Sequence, residues 1–136
     1  MKISASIKNS NETHQAVVST NDQQTSLDIQ PKASGRGSSI NGGELLFLAL
    51  ATCYCNDIFR EAAEIGMEVG DVTVSVEGEF GGKGDPAKNV FFDVKISADG
   101  SEEQIKQLLH HTDSVAEIQN SLRMAIPVSL RDIEIL

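Results

Sequence analysis

The pattern of apolar positions predicts one long buried helix with strands on either side of it. Nearly every position in residues 45–55 is apolar, and Thr52 is the interruption. This pattern indicates a helix covered on most sides, because a surface helix carries its apolar residues on one stripe. Asn41 and Glu44 have the spacing of a capping box, and Gly66 is a typical stop. The predicted helix therefore spans residues 41–66.

The remaining segments predict shorter elements. Apolar and polar residues alternate in residues 1–30, 69–80 and 90–97, which indicates N-terminal strands and a later hairpin. The last third predicts a helix from Ser101 to a break near Thr112 and Asp113, a short helix Ser114–Arg123 and a final strand Ile126–Leu136. This order is typical of an α+β protein rather than a βαβ series.

The chain length of 136 residues fits a single domain in three segments. Residues 1–40 would form the N-terminal strands and a Gly- and Ser-rich loop, residues 41–66 the central helix, and residues 67–136 the hairpin, helices and last strand. A chain of this size is marginal for covering an apolar helix on all sides. We therefore expect a homodimer, in which a second copy covers part of the helix.

Charge and composition exclude several classes of partner. The net charge of −9 argues against binding to nucleic acids or to anionic membrane surfaces. The apolar run is shorter than the roughly 18 residues of a membrane span. The N-terminus shows no apolar signal region, which favours the cytoplasm. The only two cysteines are separated by one residue, and this spacing fits a reducing compartment.

Cys53 and Cys55 are the candidates for chemistry. On a helix their side chains point about 200° apart, so they cannot bond to each other. Asp57 lies on the same face as Cys53 and is expected to raise the thiol pKa. Activation of the thiol would require a cation, and the candidates are Arg36, Arg60 and Arg123. The alternative is that both cysteines are small buried hydrophobes, since free cysteine is among the most buried residue types.

No metal or cofactor is expected from the sequence. His110 and His111 are adjacent, and on a helix their side chains diverge by about 100°, which is unsuitable for sharing one ion. The chain has no CxxC, HxxxH or HExxH spacing. The glycines around Arg36 lack the lysine of a phosphate-binding loop.

The segment Gly43–Tyr54, GELLFLALATCY, resembles the central-helix motif of the OsmC/Ohr superfamily. The order of the predicted elements also resembles this family over essentially the whole chain. The resemblance implies an intertwined homodimer with two long central helices flanked by antiparallel sheets. It also implies thiol peroxidase chemistry on organic hydroperoxides: a first cysteine, here Cys53, attacks the peroxide, a second cysteine resolves the sulfenic acid as a disulfide, and an Arg–Glu pair activates the thiolate. Glu44, Arg36 and Cys55 are the possible supporting residues of this chain.

The sequence departs from this family pattern at three positions. The resolving cysteine corresponds to Ala116, and the catalytic acid corresponds to Gly43, with Glu44 as its neighbour. The early hairpin that carries the family's arginine reads NETHQ at residues 11–15. Two hypotheses follow. The first is a weak or one-cysteine peroxidase in oxidative-stress defence that an external thiol reduces, with Cys55 packed in the core. The second is a non-catalytic dimer that binds an apolar small molecule at its interface.

Overall fold

A computed structural model of the chain describes residues 1–11 and 13–136. Glu12, in the hairpin that lacks an arginine, lies outside the described residues. The elements run in the order β1 Ile3–Asn9, β2 His14–Thr20, β3 Gln23–Leu27, α1 Gly42–Glu64, β4 Val69–Phe80, β5 Ala87–Ala98, α2 Glu102–Val115 and α3 Glu117–Arg123. Two compact units comprise residues 1–45 and 46–136. The single domain over residues 1–136 stays a prediction.

The first unit is an antiparallel meander of β1, β2 and β3. The register of the sheet is given by Ala16 on β2, which pairs with Ile7 of β1 on one side and with Leu27 of β3 on the other. Asn21 and Asp22 form the turn between β2 and β3 with φ of 47° and 66°. Asn and Asp adopt positive φ more readily than most residues, so this turn follows from the sequence. The predicted N-terminal strands are confirmed.

Both predicted ends of α1 are also confirmed. The Asn41 side-chain oxygen accepts the backbone N–H of Glu44 at 2.9 Å, and the Glu44 carboxylate accepts the backbone N–H of Asn41 at 2.7 Å. These reciprocal bonds satisfy two of the backbone donors that a helix start leaves unpaired. Gly66 has φ of +68° just beyond the helix, which a residue without a Cβ adopts at little cost.

The core of the second unit lies between α1, the β4–β5 hairpin and α2. Tyr54, Ile58 and Ala62 of α1 are buried with Leu108 and Ala116. The half-buried residues that pack against them alternate along the hairpin, and they are Val69, Val72, Val74, Phe92, Val94 and Ile96. This alternation confirms the predicted hairpin, because strands with one covered face place every second side chain in the core.

The other side of α1 is uncovered within the chain. Leu48, Thr52, Cys55 and Phe59 are spaced by four, three and four residues, and we call them the outer stripe. Leu48 is 60% exposed and Phe59 is 44% exposed. The prediction that Cys55 packs in the core is wrong for the single chain: both cysteines are half-buried, but Cys53 packs against the core cluster while Cys55 lies on the outer stripe. No described helix has the length and hydropathy required to cross a membrane.

Two predicted boundaries differ from the structure. α2 continues through Thr112 to Val115, and the break comes at Ala116. Thr112 is fully buried, and its hydroxyl donates to the Leu108 carbonyl oxygen at 2.8 Å, so this polar side chain is satisfied inside the helix. The predicted final strand is wrong for the single chain. Residues 126–136 adopt no helix or strand, since none of the described strands pairs with them.

Ile58→Ala is expected to lower the free energy of unfolding by about 3 kcal/mol. The Ile58 side chain has no exposed surface, so its truncation leaves a cavity in the core. Urea unfolding at one fixed protein concentration measures this loss. Ile65→Ala is the matched control, since Ile65 is 62% exposed and its truncation should cost less than about 0.5 kcal/mol. Equal losses in the two variants would contradict this description of the core.

Candidate functional site

Cys53 lies where α1 meets the start of α3, and two carboxylates face its sulfur. The thiol is 3.4 Å from Asp57 Oδ2 and 3.9 Å from Glu117 Oε2. Asp57 comes from the next turn of α1, as its spacing from Cys53 predicts. Glu117 comes from a position 64 residues away in sequence, which periodicity could not identify. The Cys53 thiol can therefore donate a hydrogen bond to either carboxylate, but only to one of them at a time.

Arg60 holds the outer oxygens of the same carboxylates. Its guanidinium lies 2.8 Å from Asp57 Oδ1 and 3.5 Å from Glu117 Oε1. Each carboxylate thus uses one oxygen on Arg60 and presents the other to the Cys53 sulfur. Arg60, one of the three candidate cations, thus lies near the thiol, but it is paired with acids and has no described hydrogen bond to Cys53.

The environment favours the protonated thiol. Burial raises the pKa of Cys53, and the charges of Asp57 and Glu117 raise it further, although a backbone hydrogen bond from Ile118 lowers it. Burial likewise raises the pKa of Asp57, against the effect of Cys53 and Arg60. The predicted influence of Asp57 on the thiol is confirmed. At neutral pH the thiolate is a minor form of Cys53.

Glu117→Gln is expected to lower the apparent pKa of Cys53 and to speed its alkylation at pH 7 by up to about fivefold. The substitution removes a negative charge 3.9 Å from the sulfur, and one charge at about this distance is worth about 1 kcal/mol in water. Removal of the charge favours the thiolate, so the rate rises below the pKa. Iodoacetamide kinetics followed by mass spectrometry resolve the two cysteines. Glu103→Gln, an exposed first-turn acid of α2, should leave the rate unchanged. A slower Glu117→Gln would contradict the electrostatic account.

The donor atoms of Cys53, Asp57 and Glu117 all lie within 4.8 Å of one another. This spacing would suit a divalent ion, since thiolate and carboxylate are zinc ligands. Arg60, however, already neutralises part of the charge that would attract a second cation. The group therefore does not by itself assign a metal, and the expected absence of a metal stays a prediction.

The two adjacent histidines have different surroundings. Both imidazoles are exposed, but His111 Nε2 also lies 3.0 Å from Glu61 Oε2. Glu61 is 7% exposed and also accepts from Arg60 at 2.8 Å. Arg60 first, and then His111, lower the pKa of Glu61. His111 thus gives a buried carboxylate a hydrogen-bond partner. Arg60 connects this carboxylate to Asp57 and Glu117 beside Cys53.

Arg36 and Glu44 have described contacts within residues 1–45. Glu44 caps α1 through Asn41. The Arg36 guanidinium donates to the side-chain oxygens of Asn9 at 2.8 Å and Asn11 at 2.7 Å, and to the Asn9 carbonyl oxygen at 3.2 Å. Arg36 therefore reaches the tip of the β1–β2 hairpin, and its described partners are neutral.

An apolar cavity of about 520 Å³ lies between the start of α1, the β4–β5 hairpin and α3. Its wall includes Leu46, Phe47, Leu50, Val90, Phe92, Gln119 and Leu122. Leu50, in the wall, lies one turn before Cys53 on α1. The cavity therefore adjoins the turn of α1 that carries the thiol. The sequence did not predict Gln119, which is a polar residue in a helix of apolar spacing.

With this geometry established, comparisons identify the family. The sequence profile of the family described as OsmC-like protein matches residues 35–131. The chain belongs to the OsmC-like family, and the predicted resemblance is confirmed. A search of curated protein sequences finds no match.

Solved structures share the fold. An OsmC-like protein from Mycoplasma pneumoniae is 19% identical with a TM-score of 0.64, covering 90% of this chain and 86% of that chain. An organic hydroperoxide resistance protein from Elizabethkingia anophelis is 15% identical with a TM-score of 0.54, covering 90% and 89% respectively. A protein from Legionella pneumophila described in the same terms is 18% identical with a TM-score of 0.51, covering 88% and 89%. These likenesses establish the α+β OsmC-like fold.

Proposed function

We propose that this protein is a one-cysteine reductase of organic hydroperoxides in oxidative-stress defence, with Cys53 as the reacting group. The observation that carries the proposal is a thiol on α1 beside an apolar cavity, with acceptors for its proton. An apolar cavity suits the body of an organic hydroperoxide. Two of the structural relatives are named organic hydroperoxide resistance proteins, which supports the same class of substrate.

The proposed reaction is a two-electron oxidation of sulfur. The Cys53 thiolate attacks the terminal oxygen of the hydroperoxide, an S–O bond forms, and the O–O bond breaks. The alkoxide leaves and takes up a proton as the alcohol, while Cys53 becomes a sulfenic acid. Asp57 and Glu117 accept the thiol proton before attack, but their charges also disfavour the thiolate. The reaction should therefore be slow compared with that of a fully activated thiol.

Reduction of the sulfenic acid requires an external thiol in this proposal. Ala116, at the position that resembles the resolving cysteine, is fully buried, and the next residue, Glu117, reaches Cys53. A first external thiol forms a mixed disulfide and releases water, and a second thiol restores Cys53. A reducing compartment such as the cytoplasm supplies such thiols.

Arg36 is the proposed substitute for the missing hairpin arginine. Its guanidinium lies 2.7 Å from the side-chain oxygen of Asn11, which belongs to the hairpin segment expected to carry that arginine. If Arg36 has this role, Arg36→Lys should slow oxidation of Cys53. Lysine cannot make the same set of hydrogen bonds to Asn9 and Asn11, so the hairpin would no longer hold the cation in the same way. Lys32→Ala, on the same loop, serves as the control. An unchanged rate in Arg36→Lys would remove Arg36 from the proposal and leave Cys53 in place.

We also propose that the functional unit is a homodimer in which the outer stripe packs against a second copy. Leu48 and Phe59, with the half-buried Cys55 between them, present an apolar surface that the single chain leaves in water. The unpaired segment 126–136 adds Ile126, Val128, Leu130, Ile133 and Ile135, each more than half exposed. Large exposed apolar surfaces of this kind mark protein interfaces.

Trapping of the first intermediate tests the proposed function. The reduced protein is treated with one equivalent of cumene hydroperoxide in the presence of dimedone, and the product is mapped by mass spectrometry. We expect the adduct on Cys53 and little on Cys55. The absence of an adduct on Cys53, with no other oxidation product of that residue, would contradict the proposal.

A second candidate function is supported by the same cavity. A non-catalytic dimer could bind an apolar small molecule while Cys53 stays protonated between Asp57 and Glu117. Alkylation of the native protein across pH separates the two functions. Reaction of Cys53 in the folded protein supports the peroxidase, whereas reaction only after unfolding supports the binding protein.

A further inference from the structure

Glu61 is a buried carboxylate that the proposed reaction does not use. It is 7% exposed and lies four residues after Asp57, which is 5% exposed, so two acids occupy neighbouring turns on the same covered face of α1. Acids at this spacing repel each other, and a buried charge is costly without a partner. Both carboxylates are neutralised in part by the Arg60 guanidinium, which lies 2.8 Å from Glu61 Oε1 and 2.8 Å from Asp57 Oδ1.

The bond to Glu61 determines where the Arg60 guanidinium lies. Adjacent side chains on a helix diverge by about 100°, so Arg60 has to bend toward Glu61 for its Nε to donate at 2.8 Å. With Nε held there, Nη1 lies 2.8 Å from the outer oxygen of Asp57 and 3.5 Å from that of Glu117. The Arg60 side chain is 43% exposed, so without this bond it would be free to turn toward water.

The Glu61 carboxylate is itself held at both oxygens. Oε1 accepts from Arg60 Nε, and Oε2 lies 3.0 Å from His111 Nε2 on α2. The side chain of Glu61 is 9% exposed, against 43% for Arg60 and 58% for His111. A buried side chain with two bonds has lost most of its conformational freedom, so Glu61 is the fixed member of this set and Arg60 the mobile one.

We infer that Glu61 is a positioning residue for Cys53 that acts through Arg60. With Arg60 in place, part of the negative charge of Asp57 and Glu117 is offset, and the thiol ionises more readily. Without the anchor, the full charge of both acids would face the sulfur and favour the protonated thiol. The consequence for hydroperoxide reduction rests on the proposed function, whereas the effect on the thiol does not.

The charged or titratable groups around Cys53 and Glu61 belong to three helices. They are Asp57, Arg60 and Glu61 of α1, His111 of α2 and Glu117 of α3. Tyr54, the residue next to Cys53, stays neutral, because burial raises its pKa to about 12. Since a substitution at position 61 leaves the other groups in the chain, a shift in the titration of Cys53 would report the effect of Glu61.

Glu61→Leu tests the inference through the pH profile of Cys53 alkylation. The full reduced chain reacts with iodoacetamide over a series of pH values, and mass spectrometry follows Cys53 and Cys55 separately. Loss of the anchor should move the midpoint to higher pH and slow the reaction of Cys53 at pH 7 by about threefold, less than the effect of one whole charge beside the sulfur. The limiting rate at high pH should stay the same. A merely structural change would alter that limiting rate and leave the midpoint in place.

Further variants separate the bond from the charge. Glu61→Gln keeps an oxygen that can accept from Arg60 Nε, so it should retain the wild-type midpoint or move it to lower pH. Glu64→Leu removes an exposed acid from the same helix and should leave the profile unchanged. If Glu61→Leu fails to fold, Glu61→Ala removes the same bond with a residue that favours the helix.

Substitution of Arg60 shows whether Glu61 acts through it. Arg60→Leu should move the midpoint at least as far as Glu61→Leu does, and the double variant should move it no further. The inference would be overturned by an unchanged midpoint in Glu61→Leu, or in Glu61→Ala where the leucine variant does not fold. A further upward shift in the double variant, or no reaction of wild-type Cys53 at any pH, would overturn it as well.

The same profile distinguishes this inference from the proposed function. A shifted midpoint in Glu61→Leu, together with failure of wild-type Cys53 to react with cumene hydroperoxide, would overturn the proposed function and support the inference. Oxidation of Cys53 by the hydroperoxide, with an unchanged midpoint in the variant, would have the opposite meaning.

Discussion

Replacement of Cys53 by serine should reduce the turnover of cumene hydroperoxide by at least about a thousandfold. The hydroxyl of serine lacks the nucleophilicity of a thiolate, and no group in the proposed reaction replaces it. Hydroperoxide loss measured with ferrous iron and xylenol orange, with dithiothreitol as the external thiol, checks this expectation. The effect concerns the nucleophile itself, so it should be larger than that of any neighbouring charge.

Cys55→Ser is the matched control for this prediction. Cys55 lies on the same helix, two residues away, but on the outer stripe rather than toward the core. Its replacement should leave turnover within about twofold of wild type. If Cys55→Ser abolishes turnover and Cys53→Ser retains it, the assignment of the reacting cysteine is wrong. The oxidised wild type should also carry a mixed disulfide on Cys53 when the external thiol is limiting.

Leu48→Glu should convert the proposed dimer into a monomer. Leu48 is the most exposed apolar side chain of the outer stripe, and a carboxylate at that position would be buried without a partner on association. An uncompensated buried charge costs several kcal/mol, so the dissociation constant should rise by about a hundredfold or more. Sedimentation velocity over a series of protein concentrations measures the change.

Ile65→Glu is the control for the assembly prediction. Ile65 is 62% exposed, against 60% for Leu48, but it lies beyond the end of α1 and outside the outer stripe. The control variant should sediment like the wild type. A wild-type protein that sediments as a monomer throughout, or a Leu48→Glu dimer of unchanged stability, would contradict the proposed interface.

Local signals in the sequence were sufficient for most of the fold. The α1 helix followed from the capping box of Asn41 and Glu44 and from the stop at Gly66, because these signals act over a few residues. The β4–β5 hairpin followed from alternation, since one of its faces meets the core. The segment 126–136 alternates as well, but a strand also requires a pairing edge, and pairing is not visible in local periodicity.

The candidate site was predictable only in part. Asp57 was found because residues four apart share a helix face, and Arg60 lies close enough in sequence to be considered with it. Glu117 and Gln119 reach the same region through the packing of α3 on α1, which a single sequence does not reveal. The fate of Cys55 was mispredicted because an all-round apolar helix does not indicate which of its faces the chain itself covers.

The carboxylates around Cys53 also bear on which reductant can complete the cycle. Asp57 and Glu117 place negative charge beside the sulfur, and Arg60 offsets only part of it. An anionic thiol should therefore approach the sulfenic acid more slowly than a cationic one of similar size. Cysteamine should outpace thioglycolate, and added salt should narrow the difference by screening the charges. Asp57 and Glu117, which slow the oxidation of Cys53, would thus make the reduction of its sulfenic acid depend on the charge of the external thiol.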